Sequence, residues 1–205
     1  MKRVNYLEKI KNKIVSSNVG EVFILSDFLD IADNQTIRKA ITRLESKGII
    51  RRIMRGIYEK PEYNKFLDEC VAPSTNKIAH AIARNYGWTI VPCGDTALNL
   101  LGLSTQVPSV WLYVSDGTYK EYEYNNTIIK FKKTTNKEIS KLSYKTALVI
   151  QALKALGKDN IDEIMLNKLE SGLTIEEKKD MIVEAKSATS WIYEYIKKIC
   201  RSELK

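Results

Sequence analysis

The stretch from Gln35 to Tyr58 constrains the fold of this chain more than any other. Ile37, Ala40, Ile41 and Leu44 fall at i, i+3, i+4 and i+7, which gives a helix over 35–47 one apolar face. Gly48 stands where a helix commonly ends on a left-handed residue. Residues 49–54 and 57–58 then read as two short strands about the turn at Arg55 and Gly56.

Upstream, residues 3–17 carry Val4, Leu7, Ile14 and Val15 at helical spacing, and Gly20 ends them. Residues 21–25 are β-branched and aromatic, a first strand. Ser26 is placed to cap a short helix over 27–31, and Ala32, Asp33 and Asn34 form a turn. Helix, strand, helix, tight turn, helix and hairpin, in that order, describe a winged helix-turn-helix.

The outward face of the second helix of that motif holds Gln35, Thr36, Arg38, Lys39, Thr42 and Arg43. Such a helix enters the major groove of DNA. There Arg pairs with guanine, Gln with adenine, and Thr meets the thymine methyl. Lys39 and Lys47 suit phosphates, which set register without reading sequence. The wing adds Arg51, Arg52 and Arg55, the last beside Gly56 at the tip. Charge follows the same division. The chain carries a net charge of +8, and residues 1–66 hold 14 Lys and Arg against 8 Asp and Glu. A basic excess confined to one segment fits a polyanion-binding surface.

Pro61 and the polar stretch over 59–65 mark a boundary, so the expected domains are 1–62 and 67–205. The second reads as a small sheet over about 89–132 followed by helices. A helix covers 73–86, a strand 89–91, a helix 94–101 and a strand 110–114. Residues 119–124 and 127–132 pair about Asn125-Asn126. Helices then cover 145–156, 159–170 and 175–200, the last opened by a capping box from Thr174 to Glu177. The fold class is α+β. Lys130, Lys132 and Lys133 surround Phe131 on a strand. They either guard a sheet edge, a common use of Lys, or touch nucleic acid. Trp191, Tyr193 and Tyr195 read as packing residues.

Little points to catalysis, and the expectation is a protein that is not an enzyme and needs no cofactor or metal. His80 is the only histidine and lies in an Ala- and Ile-rich helix. Cys70, Cys93 and Cys200 are too far apart for zinc-ligand spacing and odd in number for a disulfide framework, which fits a reducing cytoplasm. There is no P-loop. Asp95, Asp116, Glu121 and Glu123 near Lys130 offer a metal-dependent nuclease as a minor alternative. No apolar run reaches the length of a membrane span, and no secretory leader is expected.

The chain resembles the AbiEi-type antitoxins of type IV toxin–antitoxin systems. In the wing the resemblance rests on Arg51 to Pro61, which ends in Gly56-Ile57-Tyr58 and Pro61. Beyond it, the resemblance rests on Gly87 to Pro92, on Gly94, on Ala97 to Pro108, and on Phe131-Lys132 before Thr134 to Ile139. The resemblance implies a first domain that binds inverted repeats in its own promoter and represses the operon. It implies a second domain that counteracts a nucleotidyltransferase toxin, with or without a stable complex. The partners expected are double-stranded DNA and that toxin, with the chain acting as a cooperatively binding monomer or a homodimer. The alternative is a stand-alone winged-helix regulator whose C-terminal domain dimerises or senses a ligand.

Overall fold

Asp33 sets the start of the central helix. Its carboxylate accepts the amides of Gln35 at 2.9 Å and Thr36 at 3.0 Å, so two of the donors that a helix leaves unpaired at its N-terminus are satisfied. The helix that follows, α2, spans Asn34–Ser46 and buries Ile37, Ala40, Ile41 and Leu44. The computed structural model describes residues 5–134, 139 and 141–201. Four residues of the family-like segment, Thr135 to Glu138, lie outside these, as do the first residues of the expected N-terminal helix.

Contacts divide the chain into two units, 1–87 and 88–205. In the first, α1 (Tyr6–Ser16) is capped by Asn5, whose side chain accepts the amide of Glu8. Strand β1 (Val22–Ile24) pairs antiparallel with β3 (Ile57–Glu59), which pairs antiparallel with β2 (Arg51–Met54). The register of β2 shifts between Arg52 and Met54, a bulge at the root of the wing. Gly56 turns the wing with a φ of +79°, a conformation that disfavours any L side chain. One core gathers Ile10, Ile14, Phe23, Phe28, Ile37, Ile41, Leu44 and Ile50, with the Phe23 and Phe28 rings 5.7 Å apart.

Two expectations for this unit change. The segment read as a short helix over 27–31 is a 3-10 turn over Leu25–Phe28. Asp27, not Ser26, supplies its cap, accepting the Ile24 amide at 2.8 Å. The bonds that follow, Leu29 to Ser26 and Ile31 to Phe28, also span three residues, which tightens the coil. The boundary expected at 62–67 moves to Gly87. A short hairpin, β4 (Tyr63–Asn64) with β5 (Glu69–Cys70), and helix α3 (Thr75–Tyr86) belong to the first unit. Arg84 of α3 reaches the Val22 carbonyl at 3.0 Å, and Lys77 reaches the Gly20 carbonyl at 3.1 Å.

The second unit builds a four-stranded sheet in the order β6 (Ile90–Pro92), β7 (Val110–Ser115), β9 (Thr127–Lys133), β8 (Lys120–Tyr124). Strands β7 and β9 run parallel, while the other pairs are antiparallel. Asn125 and Asn126 turn the β8–β9 hairpin at φ +45° and +62°, as an Asn-Asn two-residue loop should. Strand β9 is therefore interior. Lys130 does not guard an edge; it pairs with Glu121 of β8 at 3.0 Å.

Helices α4 (Asp95–Leu100) and α5 (Tyr144–Leu156) help form a core of Val91, Ala97, Ala147, Leu148 and Ala152. Helices α6 (Glu163–Ser171), α7 (Ile175–Glu184) and α8 (Ser190–Ile199) join α5 in a second core around Leu153, Leu166, Met181 and Ile196. The Thr174–Glu177 capping box is present. The single helix expected over 175–200 is broken instead. A 3-10 turn at Ala185–Ser187 and extended residues at Ala188 and Thr189 interrupt it. No Gly or Pro marks that break, only a run of small and hydroxyl residues that favours caps over helix interiors. Trp191, Tyr193 and Tyr195 pack against this core, as read. Among the described residues no helix is long and apolar enough to cross a membrane.

Candidate nucleic-acid interface

The buried stripe of α2 fixes what its other side presents. Gln35, Arg38, Lys39, Thr42, Arg43 and Lys47 are exposed and Thr36 is half-buried. Gln35 to Arg43 spans about 12 Å along the helix, close to the width of the major groove. The wing exposes Arg52 and Arg55.

The cations of the first unit fall into two sets. Lys11 pairs with Glu8, Lys13 with Asp30, Lys77 with Glu21 and Arg84 with Asp27. Lys60 donates to the carbonyls of Val15 at 2.7 Å and Ser17 at 2.8 Å. These groups tie elements together. Among the described residues no ion pair engages Arg38, Lys39, Arg43, Lys47, Arg52 or Arg55, although Arg52 donates to the Met54 carbonyl at 3.4 Å; of the remaining cations of this unit Lys9, Lys60 and Lys65 also lack an ion pair. Free positive charge is thus concentrated on α2 and the wing.

Arg51 belongs to the first set. Its guanidinium pairs with Glu59 across the β2–β3 ladder and donates to the Val71 carbonyl at 3.0 Å. The Glu59 side chain is 1% exposed. Burial raises its pKa, and the neighbouring Arg51 acts in the opposite direction. Arg51 therefore holds the wing together, and its neighbour Arg52 faces solvent.

The threonines are also partly committed. The Thr36 hydroxyl donates to Asp33 at 2.8 Å and the Thr42 hydroxyl to the Arg38 carbonyl at 3.0 Å. Thr42 is left with its methyl group as the outward feature. Asp33 has its pKa lowered, chiefly by the Thr36 amide. Its charge sits at the N-terminus of α2, where it caps the helix and repels phosphate. The Asp before an apolar-periodic run was the sequence signal for this cap.

The residues weighed for catalysis are dispersed. His80 lies in α3, half-buried, its pKa lowered first by burial and then by Arg84. Cys93 is buried, and burial pushes its thiol up to about 11. Asp116 accepts the Thr89 amide at 2.9 Å, and Glu121 is held by Lys130. Among the described residues no three His, Cys, Asp or Glu side chains are grouped to hold a metal ion.

Comparison with curated proteins finds no match to the chain. A family model does match, over residues 9–181, a span that runs through both units. With most of its length covered in this way, the chain belongs to a family of unknown function, DUF6088.

Proposed function

We propose that the protein is a sequence-directed DNA-binding repressor that uses α2 to read the major groove and the wing to grip the backbone. One observation carries the reading: the cations without an ion pair gather on α2 and the wing, while those elsewhere in the unit are mostly tied down. Arg38 and Arg43 are the base-reading candidates, with Gln35 and the Thr42 methyl beside them. Lys39, Lys47, Arg52 and Arg55 meet phosphates. The half-buried Thr36 and the ion-paired Arg51 support the interface from behind.

Within that role, the resemblance to AbiEi-type antitoxins makes the protein the autoregulating antitoxin of a type IV system in the cytoplasm. Its second unit then counteracts a nucleotidyltransferase toxin encoded beside it. Gel-shift titration against the DNA upstream of its own reading frame tests the first part. Roughly four neutralised phosphates per copy give a log–log salt slope of about −3.6. A flat salt response refutes DNA binding through this face. Co-expression tests the second part. Toxicity of the neighbouring nucleotidyltransferase that persists in the presence of this protein refutes the antitoxin role and leaves a plain regulator.

A further inference from the structure

The β4–β5 hairpin displays apolar side chains that its own unit does not cover. Phe66 at its tip is 94% exposed, Leu67 58% and Tyr63 53%. A two-stranded hairpin is marginal in water unless something holds it. Here Asn64 Oδ1 accepts the amides of Phe66 at 2.9 Å and Leu67 at 3.2 Å. The Tyr63 hydroxyl bonds to Asp68, and the Val71 amide donates to the Glu62 carbonyl at 2.8 Å. The tip is therefore preorganised, which lowers the entropy lost when it makes a contact.

Charge selects the partner. Residues 62–70 carry Glu62, Asp68 and Glu69 against Lys65 alone, whereas the rest of 1–87 carries 15 Lys and Arg against 7 Asp and Glu. The hairpin is an acidic island in a basic unit. An apolar wedge for a DNA minor groove would not be flanked by three carboxylates. We propose that the hairpin docks on the basic surface of the first unit of a second copy of this chain. Such a contact is reciprocal under twofold symmetry. It rests on the DNA-binding reading only for its consequence: the cations of that surface without an ion pair lie mostly on α2 and the wing, so a docked hairpin and DNA exclude each other. The hairpin offers fewer residues than the 20–30 per side of a standard interface, so the contact is weak in free solution and DNA displaces it.

The test is made without DNA, so that its failure and that of the DNA-binding reading are separate. The full chain with Phe66→p-benzoylphenylalanine is irradiated at about 100 μM, a concentration at which even weak association is populated. A covalent two-chain product is expected, with its cross-link inside residues 5–87 of the second copy. Sedimentation of Phe66→Asp and of Leu67→Asp, each checked for wild-type circular dichroism, should show self-association weakened by about tenfold or more. No two-chain product, or variants that sediment as wild type does, overturns the proposal. A cross-link formed only to another protein in cells also overturns it. So does a loss of affinity for a single half-site in Phe66→Asp, which would assign the tip to DNA.

Discussion

Replacing Arg51 with Ala removes the ion-pair partner of a carboxylate that is 1% exposed. Glu59 then has two options: it stays charged in a dry site, or it takes up a proton. Protonation caps the penalty. Its ordinary value is 4.5, so holding it neutral at pH 7 costs about 3.4 kcal/mol, and at pH 5 only about 0.7 kcal/mol. Arg51 is itself 35% exposed, and water entering the space it leaves reduces the cost, so about 1–3 kcal/mol is expected at pH 7. Loss of the bond to the Val71 carbonyl adds about 1 kcal/mol that does not depend on pH. The sign follows from the direction of the shift. A carboxyl whose folded pKa is raised favours the fold below its unfolded value and loses that contribution as pH rises through the folded one. Amide-exchange protection of β1, β2 and β3 measured at pH 5 and pH 7 reads both effects. Protection should fall by roughly thirty- to several-hundredfold at pH 7 and much less at pH 5. Arg51→Met with Glu59→Gln should recover most of it, because neither side chain leaves a buried charge. Wild-type protection in Arg51→Ala, together with a loss of DNA affinity equal to that of Arg52→Ala, would refute this assignment and return Arg51 to the phosphate-binding set.

Arg38→Ala or Arg43→Ala should weaken binding to the chosen operator by about 1–3 kcal/mol while leaving non-specific affinity nearly intact. Arg52→Ala or Arg55→Ala should weaken all sequences alike and reduce the salt slope by about 0.9 each, both seen in gel-shift titrations. Asp33→Ala should lower stability at neutral pH, and that loss should vanish on acidification. The Asp33 pKa is depressed, so its contribution is present above the ordinary value of 3.8 and lost as pH falls through the folded one; thermal melts at two pH values check this. Gly117→Ala would drive a Cβ into the Trp88 ring, so Trp88 must shift, at about 1–3 kcal/mol, with a change in tryptophan fluorescence. Under mild alkylation Cys70 should react first, because it is exposed, whereas the Cys93 thiol is buried and raised to about 11; mass spectrometry after brief iodoacetamide treatment distinguishes them.

Local signals in the sequence were enough wherever one element's own residues decide its form. The apolar stripe of α2, the Gly48 stop, the Asn125-Asn126 turn and the Thr174–Glu177 box all depend on neighbours within a few positions. What the sequence hid depends on partners far along the chain. Lys130 lies on an interior strand because β7 takes the other side of β9, a pairing that no local pattern reveals. Helix α3 joins the first unit through Lys77 and Arg84, which reach back some sixty residues to β1 and the residues before it.

The wing arginines lie between these cases, and they sharpen the proposed interface. Successive residues of a strand face opposite sides, so Arg51 and Arg52 were never equivalent. Period two alone says that only one of them can share a face with the groove. It does not say which. Glu59 decides it, by standing opposite Arg51 in the β2–β3 register with its carboxylate buried. The same pairing orients the wing: with Arg51 turned inward, Arg52 must face out, and Arg55 is exposed in the turn at the tip. A phosphate-binding wing therefore needs its inward arginine as much as its outward one. The first fixes the ladder and the second uses it, so in the proposed interface Arg51 acts only through Arg52 and Arg55.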